Sequence, residues 1–246
     1  MTVEAVRAQR DSTSARVLAG VRAEGERLWR LSDFAGEPAL AVAQAMSRLA
    51  ARGELVRVRR GVYFRPRETR FGRSVPEPGL LLDAAADGSP LFPAGISAAS
   101  RLGFTTQVPV RLHLSTPARR LRSGLVRSDA RVVAGRPAAW RGLSELDGAL
   151  LELLRDRGLT SELDPTQTIA RTLRLLAEPR RLPRLLAAAS TEPPRVRALL
   201  GALCEALGTS PRRLRPLRAT LHPLSRFDFG AFQTLPSARA WQARGA

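Results

Sequence analysis

WRLSDFAGEPALAVAQAMSRLAARGELVRVRRGVYFRP, residues 29–66, is the stretch on which the reading of the fold turns. Its middle, Ala39 to Arg52, places Val42, Met46 and Leu49 on one helical face. Pro38 precedes it, where a first-turn proline loses no hydrogen bond, and Gly53 stops it. Beyond the glycine come Leu55, Val56 and Val58, then Arg59-Arg60-Gly61, then Val62, Tyr63 and Phe64 before Pro66. These are two short β-rich runs about a glycine-containing turn. Upstream, a short helix around Leu31 to Ala35 is begun by Ser32 or Asp33 and ended by Gly36, with Trp29 and Phe34 as core anchors. Earlier still, Ser14 to Glu24 carries Val17, Leu18 and Val21 at helical spacing, with Gly25 as its stop. Three helices and a hairpin predict a winged helix-turn-helix over residues 1–70.

In that fold the third helix enters the major groove and the wing lies near the backbone or minor groove. With Val42, Met46 and Leu49 turned inward, Ala41, Gln44, Ala45, Ser47 and Arg48 are expected to face outward. Gln44 suits an adenine edge, Arg48 a guanine edge, and the alanine methyls a thymine methyl. Arg57, Arg59 and Arg60 on the wing would neutralise phosphates or enter a narrow minor groove, and Arg52 would hold the flanking backbone. Eight arginines lie between Met46 and Arg70 (48, 52, 57, 59, 60, 65, 67 and 70) against only Glu54 and Glu68. That local excess is the electrostatic footprint of a nucleic-acid binder.

The remaining chain divides by texture into an α/β middle module, 71–140, and a helical domain with an irregular tail, 141–246. The whole is read as α+β, mostly α. In the middle, Pro76, Pro78 and Gly79 make a linker, and helices are expected at Leu80 to Ala86 and Ile96 to Leu102. VPVRLHLST (108–116) alternates Val108, Val110, Leu112 and Leu114 against Pro109, Arg111, His113 and Ser115, the period of a half-buried strand. Further strands are expected around Arg120 to Val126 and Ala130 to Ala134. Helices follow at Leu143 to Arg157, Pro165 to Ala177, Arg180 to Ala189, Pro194 to Leu207 and Pro211 to Arg218, with prolines near their starts. The aromatic tail from Thr220 is expected to lie as an arm against another surface.

Composition excludes several functions. All 40 basic residues are arginine, against 22 acids, for a net charge of +18 in 246 residues. A lysine-free, Ala- and Arg-rich chain reflects a G+C-rich genome, so the choice of Arg over Lys says little; the excess itself points to an anionic partner. Without lysine there is no P-loop, and neither G-x-G-x-x-G nor H-E-x-x-H occurs. His113 and His222 are too few for a histidine metal site, and the pairs Glu145/Asp147 and Asp156/Glu162 read as solvated helix-surface acids that offset arginine. Cys204, the only cysteine, excludes an intramolecular disulfide and reads as a buried structural thiol. The expectation is a protein that is not an enzyme, with no cofactor and no metal. The N-terminal stretch has no apolar signal core, and no run of about 18 apolar residues exists, so no membrane association and a bacterial cytoplasmic location are expected.

Residues 29–66 resemble the N-terminal winged helix of AbiEi-type antitoxins, the repressor halves of type IV toxin-antitoxin operons. The shared pattern is an aromatic, Asp-Phe, a helix ending Leu-x-x-x-Gly, and an Arg-rich hairpin with Gly-Val-Tyr. PAGISAASRLGFTTQVPVRLHLST (93–116) is similar to the family's SxAAxxLGLTTQVP element and the strand after it. The chain departs from relatives at Ala50-Ala51, where basic residues are common, and in its aromatic tail. The resemblance implies a phage-defence antitoxin and transcriptional autorepressor. It would bind inverted repeats of double-stranded DNA in its own promoter and counter an AbiEii-type nucleotidyltransferase toxin, directly or functionally. A homodimer on DNA would space its half-sites by about 10 base pairs or a multiple. The alternative is a winged-helix protein-interaction module of a defence or toxin-antitoxin assembly, whose basic surface meets an acidic partner without operator-specific DNA binding.

Overall fold

The computed structural model describes residues 3–126 and 129–245. The chain is mixed α+β, with nine α-helices and three small sheets among these residues. It divides into two compact units, Met1–Gly88 with Arg122–Arg127, and Ser89–Leu121 with Ser128–Ala246. Residues 71–140, expected as a module of their own, are shared between the two.

The first unit opens with α1 (Val3–Ala23), longer at its start than the expected helix, and β1 (Leu28–Arg30), a strand absent from the sequence reading. A 3-10 turn, Leu31–Phe34, stands where a short helix was expected; the Asp33 carboxylate accepts the Arg30 N–H at 2.9 Å and fixes its start. Then follow α2 (Ala39–Ala51), β2 (Val56–Arg59), β3 (Val62–Phe64), a second small hairpin of β4 (Glu68–Thr69) and β5 (Gly72–Arg73), and α3 (Pro78–Ala85). α2 ends by a helix-stop geometry that requires Gly53 at φ +76°. The Glu54 N–H reaches back to the Leu49 carbonyl and the Gly53 N–H to that of Ala50, both at 3.0 Å.

The sheet runs β1-β3-β2, antiparallel throughout, with Trp29 opposite Tyr63 and Val56 opposite Phe64. Every β3 side chain is buried, as in a strand covered on both faces. Tyr63 joins Val17, Val21, Trp29, Val42, Met46 and Leu49 from α1, β1 and α2. Val62 joins Leu81, Ala84 and Ala85 of α3, together with Leu125. The expected strand around Arg120 to Val126 is instead a 3-10 turn, Ser123–Leu125, whose Leu125 seals this second face. Asp87 ties the layers together, accepting from Arg30 at 3.0 Å and Arg122 at 3.1 Å.

The second unit holds β6 (Phe92–Pro93), α4 (Gly95–Leu102), β7 (Leu112–Ser115), β8 (Ala130–Val133) and helices α5 (Glu145–Arg155), α6 (Pro165–Leu176), α7 (Arg181–Ala189), α8 (Pro194–Ala206) and α9 (Pro211–Ala219). Its sheet is β6-β7-β8, antiparallel then parallel. The expected strand 108–116 is only half formed, and its face is inverted. Val108 and Val110 are 87% and 96% exposed, whereas Ser115 is buried between Phe92 and Val133. The reason is local: strand pairing begins at Leu112, while the preceding turn is held elsewhere, by Glu162, which accepts from the Thr105 hydroxyl, the Thr106 N–H and the Gln107 amide.

Helices α5 to α9 fall where they were expected. Ser144 caps α5, accepting the Asp147 N–H at 3.3 Å, and Asp164 caps α6, accepting from Gln167 at 2.8 Å. The tail belongs to the unit's own core: Phe229, Phe232, Leu235 and Trp241 are buried. Trp241 lies so close to α8 that a Cβ at Gly201 would come within 2.2 Å of its ring, so the backbone approach demands glycine. Three buried carboxylates are neutralised inside this unit. Asp147, read from sequence as a solvated surface acid, is buried and accepts from Arg181 (2.9 Å) and Arg184 (2.7 Å). Glu152 takes a two-pronged contact from Arg136 at 2.5 and 2.9 Å. Glu192 accepts from the Trp140 indole (2.6 Å) and Arg155 (2.8 Å).

Candidate nucleic-acid interface

The candidate surface is the outer side of α2 and the β2–β3 hairpin that follows it. Ala41 and Ala45, expected to face outward, are 7% and 3% exposed and lie in the core. The buried stripe of α2 is broader than Val42, Met46 and Leu49 alone: it includes Ala41 and Ala45, and Ala45 packs in one cluster with Val17 and Val21 of α1. Neither alanine can touch a base, which corrects the expectation. Gln44, Ser47 and Arg48 are exposed as expected, joined by Leu40 at 66% and by Ala51. Leu40 was missed, although its spacing of four to Gln44 and seven to Ser47 sets all three on one face.

The structure also sorts the arginines. Arg65 donates to the carbonyls of Val21 (2.6 Å), Arg22 (2.7 Å) and Glu24 (3.1 Å), closing the end of α1 where cations are favoured. Arg52 pairs with Glu54 at 3.1 Å, and Arg22 with the same carboxylate at 2.9 Å. Partial burial pushes the Glu54 carboxyl up, but the hydrogen bonds of Arg22 and Arg52 outweigh this and hold it below its ordinary value. Arg67 faces Glu26 at 3.9 Å, and Arg70 stacks on Phe71 at 4.6 Å. Arg48 donates to the Ser14 hydroxyl at 2.7 Å and forms no ion pair among the described residues.

Arg57, Arg59 and Arg60 are exposed, and among the described residues they form no ion pair. Arg60-Gly61 is the two-residue turn between paired Arg59 and Val62, with Gly61 at φ +75°. A bulge between Arg57 and Arg59 shifts the register of β2. The Arg59 guanidinium lies over Gly124, where a Cβ would approach within 2.8 Å. Arg60 is therefore the turn's own cation, and Arg59 flanks it along the 3-10 turn.

The other chemistry-bearing residues lead elsewhere. Among the described residues no group of three or more His, Cys, Asp or Glu could hold a metal ion, and no helix is long and apolar enough to cross a membrane. Glu145 pairs with Arg101 at 2.7 Å, and Asp156 is bound by the Thr160 hydroxyl at 2.6 Å. Cys204 is buried, and burial pushes its thiol up to about 12.

Residues 31–126, which contain α2 and the hairpin, match a family of unknown function, DUF6088. No curated protein matches the chain. Among solved structures it is similar to the crystal structure of the RV2827C protein from Mycobacterium tuberculosis, at 20% identity over 87% of this chain and 83% of that one, with a TM-score of 0.44.

Proposed function

We propose that the first unit is a winged helix-turn-helix that lays α2 in the major groove of double-stranded DNA, with the β2–β3 turn as its wing. The order α1, 3-10 turn, α2 and a sheet arranged β1-β3-β2 suits that fold. One observation carries the reading: Arg22, Arg52 and Arg65 of this unit are spent on a carboxylate or a helix end, while Arg57, Arg59 and Arg60 are exposed and form no ion pair among the described residues. Exposed, unpaired guanidinium groups beside a helix face of Leu40, Gln44, Ser47 and Arg48 suit phosphate neutralisation next to base contacts. Gln44 and Arg48 are the base-reading candidates, and Leu40 takes over the thymine-methyl contact assigned from sequence to Ala41 and Ala45. Arg52, held by Glu54, is a weaker phosphate partner.

Taken with the resemblance of residues 29–66 and 93–116 to AbiEi-type antitoxins, the reading is a cytoplasmic, non-enzymatic autorepressor and antitoxin. It acts on inverted repeats in its own promoter, as a homodimer, and opposes a nucleotidyltransferase-like toxin. The test is binding of the full chain to its own upstream duplex and to a scrambled duplex across a salt series. A preference of about a thousandfold is expected, as for specific binders. Replacing Arg59 and Arg60 together with alanine should lower the salt slope by up to about 2, since each neutralised phosphate contributes about 0.9. Equal binding to both duplexes overturns the operator-reading function, and an unchanged slope removes the wing from the interface.

A further inference from the structure

A second surface, in the second unit, is built differently from the α2 and hairpin face. Helix α9, PRRLRPLRA, buries Leu214 and Leu217 and turns Arg212, Arg213, Arg215 and Arg218 outward. Cavities flank it on both sides. One, of about 560 Å³, lies beside Arg215, Arg218 and Trp241 at the α8–α9 turn. Another, of about 490 Å³, runs between α7 and α9 over Leu186, Ala187 and Pro216. A third, of about 300 Å³, shares Thr209 with the first and both Pro183 and Arg213 with the second, so the three form one trough around the start of α9. Its floor is apolar and its rim is arginine.

We propose that this trough is a docking site for an acidic segment of a partner protein that carries apolar anchor side chains. Charge complementarity sets the sign of the partner. The two carboxylates at the trough are already engaged, Glu205 by Arg218 (3.2 Å) and the Trp241 indole (2.8 Å), and Glu178 by Arg181 (2.6 Å). Arg212, Arg213 and Arg215 form no ion pair among the described residues. The concave apolar floor decides between classes of polyanion: phosphates would neutralise the rim but leave the floor unfilled, whereas leucine or phenylalanine side chains between carboxylates satisfy both.

The experiment measures anisotropy of a labelled synthetic peptide of about 16 residues, about 24 Å if helical, with Leu and Phe spaced i, i+4 among glutamates. Its comparators are an all-glutamate peptide, the same peptide with Gln for Glu, and a random-sequence duplex as competitor, all with the full chain. The acidic, apolar peptide is expected to bind at least about tenfold more tightly than either of the two comparator peptides. Arg213→Glu with Arg215→Glu, both solvent-facing, should weaken it by about tenfold or more. Ala187→Trp, which fills the α7–α9 groove, should do the same, and the Arg59/Arg60 double alanine variant should bind it unchanged. Equal binding of the all-glutamate peptide, displacement by duplex, no binding of the acidic, apolar peptide, or indifference to the charge-reversing and groove-filling variants would each overturn the proposal. None of these outcomes depends on whether the first unit reads an operator.

Discussion

Arginine does opposite work in the interior of the second unit and on the β2–β3 hairpin of the first. In the second, Arg136, Arg155 and Arg181 are largely buried and neutralise Glu152, Glu192 and Asp147 in the interior. In the first, Arg57, Arg59 and Arg60 are exposed and form no ion pair among the described residues. Burial explains the difference. A carboxylate removed from water must be paired or it does not stay ionised, so those arginines are part of the fold. An exposed guanidinium stays hydrated at little cost and is left available for a ligand's charge.

The comparison breaks most visibly at Asp147. Asp147→Asn removes the buried carboxylate shared by Arg181 and Arg184, leaves Arg181 only the more exposed Glu178 at 2.6 Å, and is expected to lower stability by about 3 kcal/mol, the low end for a broken buried pair, read from urea unfolding. Burial pushes the Asp147 carboxyl up, but hydrogen bonds from Arg184, Ser144 and Arg181 outweigh it and leave the group below its ordinary value. Its contribution is therefore fully present above the ordinary Asp range near pH 4 and is lost as the pH falls through the lower folded value. The urea midpoint should fall with acid over that window in the natural chain, and the Asn variant should lack this component.

Next in size is Gly201→Ala. The new methyl meets the Trp241 ring, and overpacking of this kind is expected to cost about 1–3 kcal/mol, with a changed tryptophan near-UV signal. A solvent-facing arm would not respond. A similar cost, about 1–3 kcal/mol, is expected for Ala45→Gln, which would have widened a reading face had Ala45 pointed outward. Its measured effect on thermal unfolding separates the core position from the surface one expected from sequence.

At the small end stand the wing and the thiol. The Arg59/Arg60 double alanine variant should unfold within about 0.5 kcal/mol of the natural chain while its salt slope on DNA falls. A large stability loss would place those arginines with the structural ones instead. Cys204, with its thiol pushed up to about 12, should not react with a thiol reagent at pH 8 until the chain unfolds.

Local chemistry was legible from the chain itself. Proline at helix starts, glycine at φ above zero after α2 and a period of 3.6 each act within a few residues, so α2 and α5 to α9 could be read before any contact was known. The β2–β3 hairpin was legible for the same reason, because Arg60-Gly61 is a turn by its own backbone preferences. Only the tertiary structure decided the rest. β1 exists because β3 offers it an edge, Val108 and Val110 are exposed because strand pairing begins at Leu112, and Ala45 is buried because it packs in one cluster with Val17 and Val21 of α1. The same holds for the candidate site. Sequence showed eight arginines between Met46 and Arg70, but a cation is free or spent according to which carboxylates and carbonyls fold against it. For Arg65 the partners are 41 to 44 residues away.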